Sequence, residues 1–135
     1  MIVDTHCHLY DEAFRPDFDD VLTRAREAGL EACVMPGIDR SCHESLVAMA
    51  DALPGFAFPC IGLHPTSVSE TWEEELAFVK EHFADRRWYA VGEIGLDEYW
   101  SKDFDAPSAP AAAGFSRVSS SSGLMRFQRI PRNYF

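Results

Sequence analysis

The chain has 135 residues, 47% hydrophobic and 25% charged, and 22 acidic against 12 basic side chains give a formal net charge of −10. That balance is typical of a soluble globular chain and argues against wholesale disorder. No apolar run approaches the roughly 18 residues of a membrane helix, and the length falls short of the about 250 residues of a closed (β/α)₈ barrel. The charge is unevenly placed. All 22 acidic residues lie between Asp4 and Asp105 with eight basic ones, a formal −14, whereas 106–135 holds no acid and four arginines. The opening Met1-Ile2-Val3-Asp4 has neither the basic nor the apolar region of a secretory leader. Cys7, Cys33, Cys42 and Cys60 show no CxxC spacing, which leaves neither a zinc ribbon nor a redox pair. Cys33 and Cys60 lie in apolar runs and read as reduced core residues, and the cytoplasm is the expected compartment.

In chain order, Ile2-Val3 is the first of four short segments rich in β-formers, followed by 32–35, 57–61 and 89–94, as in buried parallel strands. A first helix is expected to open at Pro16 with Asp17, Asp19 and Asp20 in its first turn. Its apolar positions Phe18, Val21, Leu22, Ala25 and Ala28 follow helical spacing, and Gly29 suits the residue after the last turn. A second helix begins at the capping-box pattern Ser41-Cys42-His43-Glu44, runs through Leu46, Val47 and Ala50, and stops at Pro54-Gly55. A third begins at a like pattern, Thr71-Trp72-Glu73-Glu74, and buries Leu76, Val79 and Phe83. This alternation is a parallel α/β layout, either half of a barrel or the core of a small open sheet. Beyond Ala106 the periodicity ends. Ala, Ser, Pro and Gly fill 16 of the last 30 positions, a composition unable to offset chain entropy, so 106–135 reads as a disordered tail.

Three blocks carry the chemistry. In Asp4-Thr5-His6-Cys7-His8, extended backbone sends His6 and His8 to one side, about 7 Å apart along the chain by the strand rise. Two neutral imidazoles so placed can grip one divalent ion, with Asp4 on the same side to orient or assist. Gly92-Glu93-Ile94-Gly95-Leu96-Asp97 ends the fourth strand, and its glycines let backbone approach a ligand closely. Carboxyl ends of parallel strands form the site in such proteins, so Glu93 converges with His6 and His8 and can bridge two metal ions. Gly62-Leu63-His64-Pro65 ends the third strand, and His64 faces the same mouth as a substrate contact or acid/base. Asp97 faces the mouth as well if alternation persists, whereas His43 and His82 sit on helical patterns and read as surface residues.

Together, Val3-Asp4-Thr5-His6-Cys7-His8-Leu9, Gly62-Leu63-His64-Pro65 and Val91-Gly92-Glu93-Ile94-Gly95-Leu96-Asp97 resemble the TatD family of metal-dependent hydrolases over residues 1–105. The Gly-Glu-Ile-Gly-Leu-Asp block is the specific one; the HxH pair is shared with amidohydrolases and PHP phosphoesterases. The resemblance implies an α/β fold, here the N-terminal half of a (β/α)₈ TIM barrel with about four parallel strands and three helices. It implies divalent metal ions, two in a complete site, with Mg, Mn and Zn not distinguished. It implies DNA as substrate, cleaved at phosphodiester bonds, with His6 and His8 binding one metal and Glu93 bridging both. Together with the placement of His64 at the same mouth, this makes Glu93 and His64 the catalytic candidates.

The family pattern continues with two more histidine ligands and an aspartate ligand on later strands, in segments such as V-I-H and T-D-x-P, which this sequence lacks. After His82 it has no histidine and after Asp105 no acid. The expectation is therefore a truncated, weakly active or inactive chain, with 106–135 as out-of-frame text. Unpaired barrel edges would favour self-association, and no membrane contact is expected. Two rival readings are a PHP-like or amidohydrolase-type hydrolase of small substrates, and a non-catalytic binding module. The second would use the tail residues Phe115, Arg117, Arg126, Phe127, Arg129 and Arg132 on nucleic acid.

Overall fold

The computed structural model of the chain describes residues 2–95; the proposed tail therefore lies outside the described residues. Strand β1 (Ile2–Asp4) leads through a 3₁₀ turn, Glu12–Asp17, into helix α1 (Phe18–Glu27). Strand β2 (Leu30–Met35), helix α2 (His43–Ala52), strand β3 (Ala57–Ile61), helix α3 (Trp72–His82) and strand β4 (Ala90–Val91) follow. The strands form one parallel sheet in the order β1-β2-β3-β4. A doubly wound sheet places its first strand inside and reverses direction around it. An order that simply follows the chain is that of a barrel wall, so the fold is half of a (β/α)₈ barrel.

The core lies between the sheet and the helices. Cys33 and Met35 of β2 and Ala57 and Ile61 of β3 cluster with Leu22, Leu46, Ala50, Leu76 and Val79 from the three helices. Ala32, Phe58 and Cys60, at the alternate strand positions, are buried on the opposite face of the sheet. Every residue of β3 is buried, as a central parallel strand requires. Cys33 and Cys60 are free and buried, as their apolar surroundings imply.

Several boundaries differ from the sequence reading, each for a local reason. Pro16 does not open α1; it sits inside the preceding 3₁₀ turn, which Asp11 caps by accepting the Ala13 N–H at 2.8 Å. Gly29 terminates α1 with φ +89°, a conformation that glycine adopts without a Cβ penalty. Ser41 does not cap α2. Asp39 does the capping one turn earlier, accepting the Ser41 N–H at 2.9 Å and the Ser41 hydroxyl, and Arg40–Cys42 forms a 3₁₀ turn ahead of the helix. Thr71 precedes α3 without a side-chain cap, because its hydroxyl pairs with that of Ser69 at 2.9 Å.

Strand β4 stops at Val91, short of the expected 94, because Glu93 donates its N–H to Gly37 rather than continuing along β3. His43 and His82 are half-buried rather than on the surface. Their rings meet at 4.8 Å, and His43 also contacts Phe78 and Trp88 where α2 packs on α3.

Candidate metal centre

The site begins where β1 ends. The Asp4 carboxylate accepts the His6 N–H at 2.9 Å, which turns the chain out of the strand. Cys7 then donates its N–H to the Val34 carbonyl at 3.0 Å, tying the turn to β2. With Cys7 facing the protein, His6 and His8 on either side face outward together, their Nε2 atoms 3.3 Å apart. Asp4 thus orients the pair through backbone.

Glu93 arrives from β4 and lies against both rings. Its Oε2 is 3.3 Å from His6 Nε2 and 3.6 Å from His8 Nε2, and its Oε1 is 3.3 Å from His64 Nε2. One ligand atom each from His6, His8 and Glu93 falls within 4.8 Å of the others, close enough to hold one ion. Three imidazoles thus surround one carboxylate. His64 addresses the oxygen turned away from the HxH pair.

Glycines bring Glu93 there. Gly37 exchanges two backbone bonds with the end of β4: it donates to the Gly92 carbonyl at 3.0 Å and accepts the Glu93 N–H at 2.9 Å. Gly92 also donates to the Ile61 carbonyl at 2.9 Å. Gly62 lies under this crossing, so close that a Cβ there would meet the Glu93 carbonyl oxygen and the Gly92 carbonyl carbon at 2.5 Å. The sequence leads one to expect the glycines beside Glu93 to admit a ligand; the close approach found is instead one of backbone to backbone, and Gly62 is the residue that allows it.

The second nitrogen of each ring determines what the first can do. The His8 Nδ1 lies 2.7 Å from the Tyr10 hydroxyl, which donates to the Pro36 carbonyl at 2.6 Å. Burial, with Cys42 nearby, pushes the Tyr10 phenol above its ordinary pKa, so the hydroxyl keeps its proton at neutral pH. The His64 Nδ1 instead accepts the Thr66 N–H at 3.1 Å and lies 2.6 Å from the Thr66 hydroxyl. Neutral His64 accordingly carries its proton on Nε2, aimed at Glu93. Burial and then the neighbouring His6 lower the His8 pKa, with Glu93 opposing, and the neutral ring is the form that binds metal.

All four site residues singled out from the sequence, His6, His8, His64 and Glu93, thus meet at the carboxyl ends of the strands. Asp97 lies outside the described residues. Tyr10, Thr66 and Gly37 were not foreseen. Tyr10 extends the alternation of His6 and His8 by one step, which was its one visible signal, whereas the role of Gly37 depends on a partner 55 residues away.

The pattern of the family described as TatD related DNase matches residues 3–112. The chain is 36% identical over 102 residues to "Uncharacterized metal-dependent hydrolase YabD" of Bacillus subtilis, covering 76% of this chain and 40% of that one. It is 37% identical over 105 residues to "Putative deoxyribonuclease tatdn3" of Danio rerio, covering 70% and 38%. With "3'-5' ssDNA/RNA exonuclease TatD" of Pantoea vagans the identity is 32% over 118 residues, covering 81% and 45%. The chain thus spans less than half the length of these curated relatives. In fold, it superposes on the TatD homologue YJJV of Escherichia coli with a TM-score of 0.81 at 24% identity, covering 90% of this chain and 48% of that one.

Proposed function

The chain belongs to the TatD related DNase family, and on that footing we propose that it is the N-terminal part of a metal-dependent hydrolase of phosphodiester bonds in DNA. One observation carries the reading: the Nε2 atoms of His6 and His8 and a carboxylate oxygen of Glu93 converge within 4.8 Å. Two neutral imidazoles and one carboxylate are a donor set suited to a borderline divalent ion. His6, His8 and Glu93 would hold that ion, which supplies Lewis-acid polarisation of a phosphoryl oxygen and eases deprotonation of water.

The chain's own residues do the rest. Glu93 divides its two oxygens between the HxH pair and His64. His64, with its proton on Nε2, is placed to donate to a substrate oxygen that binds beside the Glu93 carboxylate. The formal −14 of the chain up to Asp105 repels a polyanion. A cation held by His6, His8 and Glu93 would offset that repulsion locally.

Because the further histidines and aspartate of the family pattern are missing from this sequence, turnover by the chain itself is expected to be weak or nil. The test is Mn²⁺ binding and Mn²⁺-dependent release of nucleotides from DNA by the purified chain, with Glu93→Ala alongside. Binding that Glu93→Ala removes, with little turnover, supports the reading. A wild-type chain that binds no divalent ion overturns the metal assignment, and vigorous turnover lost in Glu93→Ala overturns the expectation of weak activity. For the tail, reading the gene beyond codon 105 in the other two frames is expected to reveal V-I-H-like and T-D-x-P-like segments. Their absence from both frames overturns the out-of-frame account.

A further inference from the structure

We propose that Tyr10 is a positioning residue of the metal centre: anchored on the Pro36 carbonyl, its hydroxyl holds His8 in the Nδ1–H tautomer and leaves the Nε2 lone pair free for a cation. The proton count carries this. A phenol has one proton, and a backbone carbonyl can only accept, so the 2.6 Å contact between Tyr10 and Pro36 uses the phenol proton. The 2.7 Å contact between Tyr10 and His8 Nδ1 then needs a proton from the imidazole. A neutral imidazole has one N–H, so Nε2 of His8 is bare, and it is Nε2 that faces Glu93 and His6.

Tyr10 is 7% exposed and packed in the hydrophobic core, so the relay is fixed at both ends. Pro36 follows β2 directly, and its carbonyl is set by the sheet rather than by the site. The chain β2 backbone, Tyr10 hydroxyl, His8 Nδ1 therefore carries the rigidity of the sheet to a ligand on an irregular turn. Thr66 does the converse at His64: its N–H donates to Nδ1 and drives the proton to Nε2. The two histidines on either side of Glu93 are thus held in opposite tautomers, one offering a lone pair and the other a proton. Without the Tyr10 oxygen, His8 loses the acceptor that selects Nδ1–H. Its proton can then move to Nε2, where it occupies the position a cation needs.

The proposal rests on the reading of His8 as a metal ligand, and the test separates the two. The full 135-residue chain is compared with Tyr10→Phe, which keeps the buried ring, and with His8→Ala. Imidazole ¹⁵N shifts of the metal-free proteins report the tautomer, and Co²⁺ titration followed by visible absorption reports affinity. Expected are an Nδ1–H tautomer at His8 in the wild type, its loss in Tyr10→Phe with amide dispersion kept, and Co²⁺ binding weakened about 10- to 100-fold. A wild-type His8 protonated on Nε2 overturns the proposal, and needs no substitution should Tyr10→Phe fail to fold. Tyr10→Phe with wild-type Co²⁺ affinity, beside a His8→Ala variant that loses it, overturns the role of Tyr10 and leaves His8 as a ligand. Unchanged affinity in His8→Ala overturns both.

Discussion

Replacing Gly62 by alanine adds one methyl group where the ends of β3 and β4 touch. That methyl carbon would lie 2.5 Å from the Glu93 carbonyl oxygen, 2.5 Å from the Gly92 carbonyl carbon and 2.7 Å from the Gly92 oxygen. All three are backbone atoms, so no side chain can rotate away. Bringing the nearest contact from 2.5 Å to an ordinary 3.4 Å moves the 92–93 segment by 0.9 Å. Three hydrogen bonds of 2.9–3.0 Å cross this patch: Gly92 to Ile61, Glu93 to Gly37 and Gly37 to Gly92. At about 1 kcal/mol each, losing them all costs about 3 kcal/mol. Partial accommodation brings the loss into the range of about 1–3 kcal/mol typical of overpacking.

The same shift carries Glu93 away from imidazole nitrogens now 3.3–3.6 Å from its oxygens, so Gly62→Ala also weakens divalent-ion binding. Urea unfolding and Mn²⁺ titration measure the two effects. Gly95→Ala is the control, since a Cβ there has no neighbour within 4 Å among the described residues, and it is expected to leave Mn²⁺ affinity unchanged. A Gly62→Ala chain with wild-type unfolding midpoint and wild-type Mn²⁺ affinity would refute the steric reasoning.

Other outcomes follow from single contacts. Asp39→Ala removes the cap on the turn before α2 and is expected to cost about 1 kcal/mol in urea unfolding, with Asp39→Asn retaining most of it. Burial, then the adjacent His82, lowers the His43 pKa from its ordinary 6.5, with Arg86 adding to this and Asp85 and Glu44 opposing. The unfolded chain therefore binds more protons than the folded one just below pH 6.5, and stability is lost as pH falls from 6.5 through the folded-state value. His43→Gln is expected to reduce the drop in unfolding midpoint between about pH 7.5 and about pH 5.5; an undiminished drop contradicts the assignment.

Much of the site was legible in the sequence because its chemistry is local. Alternation along an extended segment sends His6 and His8 the same way regardless of what lies behind them. The four apolar segments and three amphipathic ones likewise state their own secondary structure through period, and all seven elements formed. Helix starts were read less well. Asp39 sits two residues before the Ser41 pattern and captures its N–H and hydroxyl first, so a choice between neighbouring caps was settled by local geometry that a motif does not encode. Taken one helix at a time, the sequence pattern puts His43 and His82 at the surface; packing α2 against α3 half-buries both.

From its own residues, then, the sequence determined an α/β alternation, an HxH pair on a strand exit and a glycine-flanked glutamate on another. The tertiary structure decided between an open sheet and a barrel wall, because strand order depends on which edges pair across tens of residues. It also decided that His6, His8, His64 and Glu93 share one mouth. Their protonation pattern, too, is tertiary. It depends on whether Nδ1 meets an acceptor or a donor, and for His8 that is settled by a tyrosine leaning on a carbonyl 26 residues away.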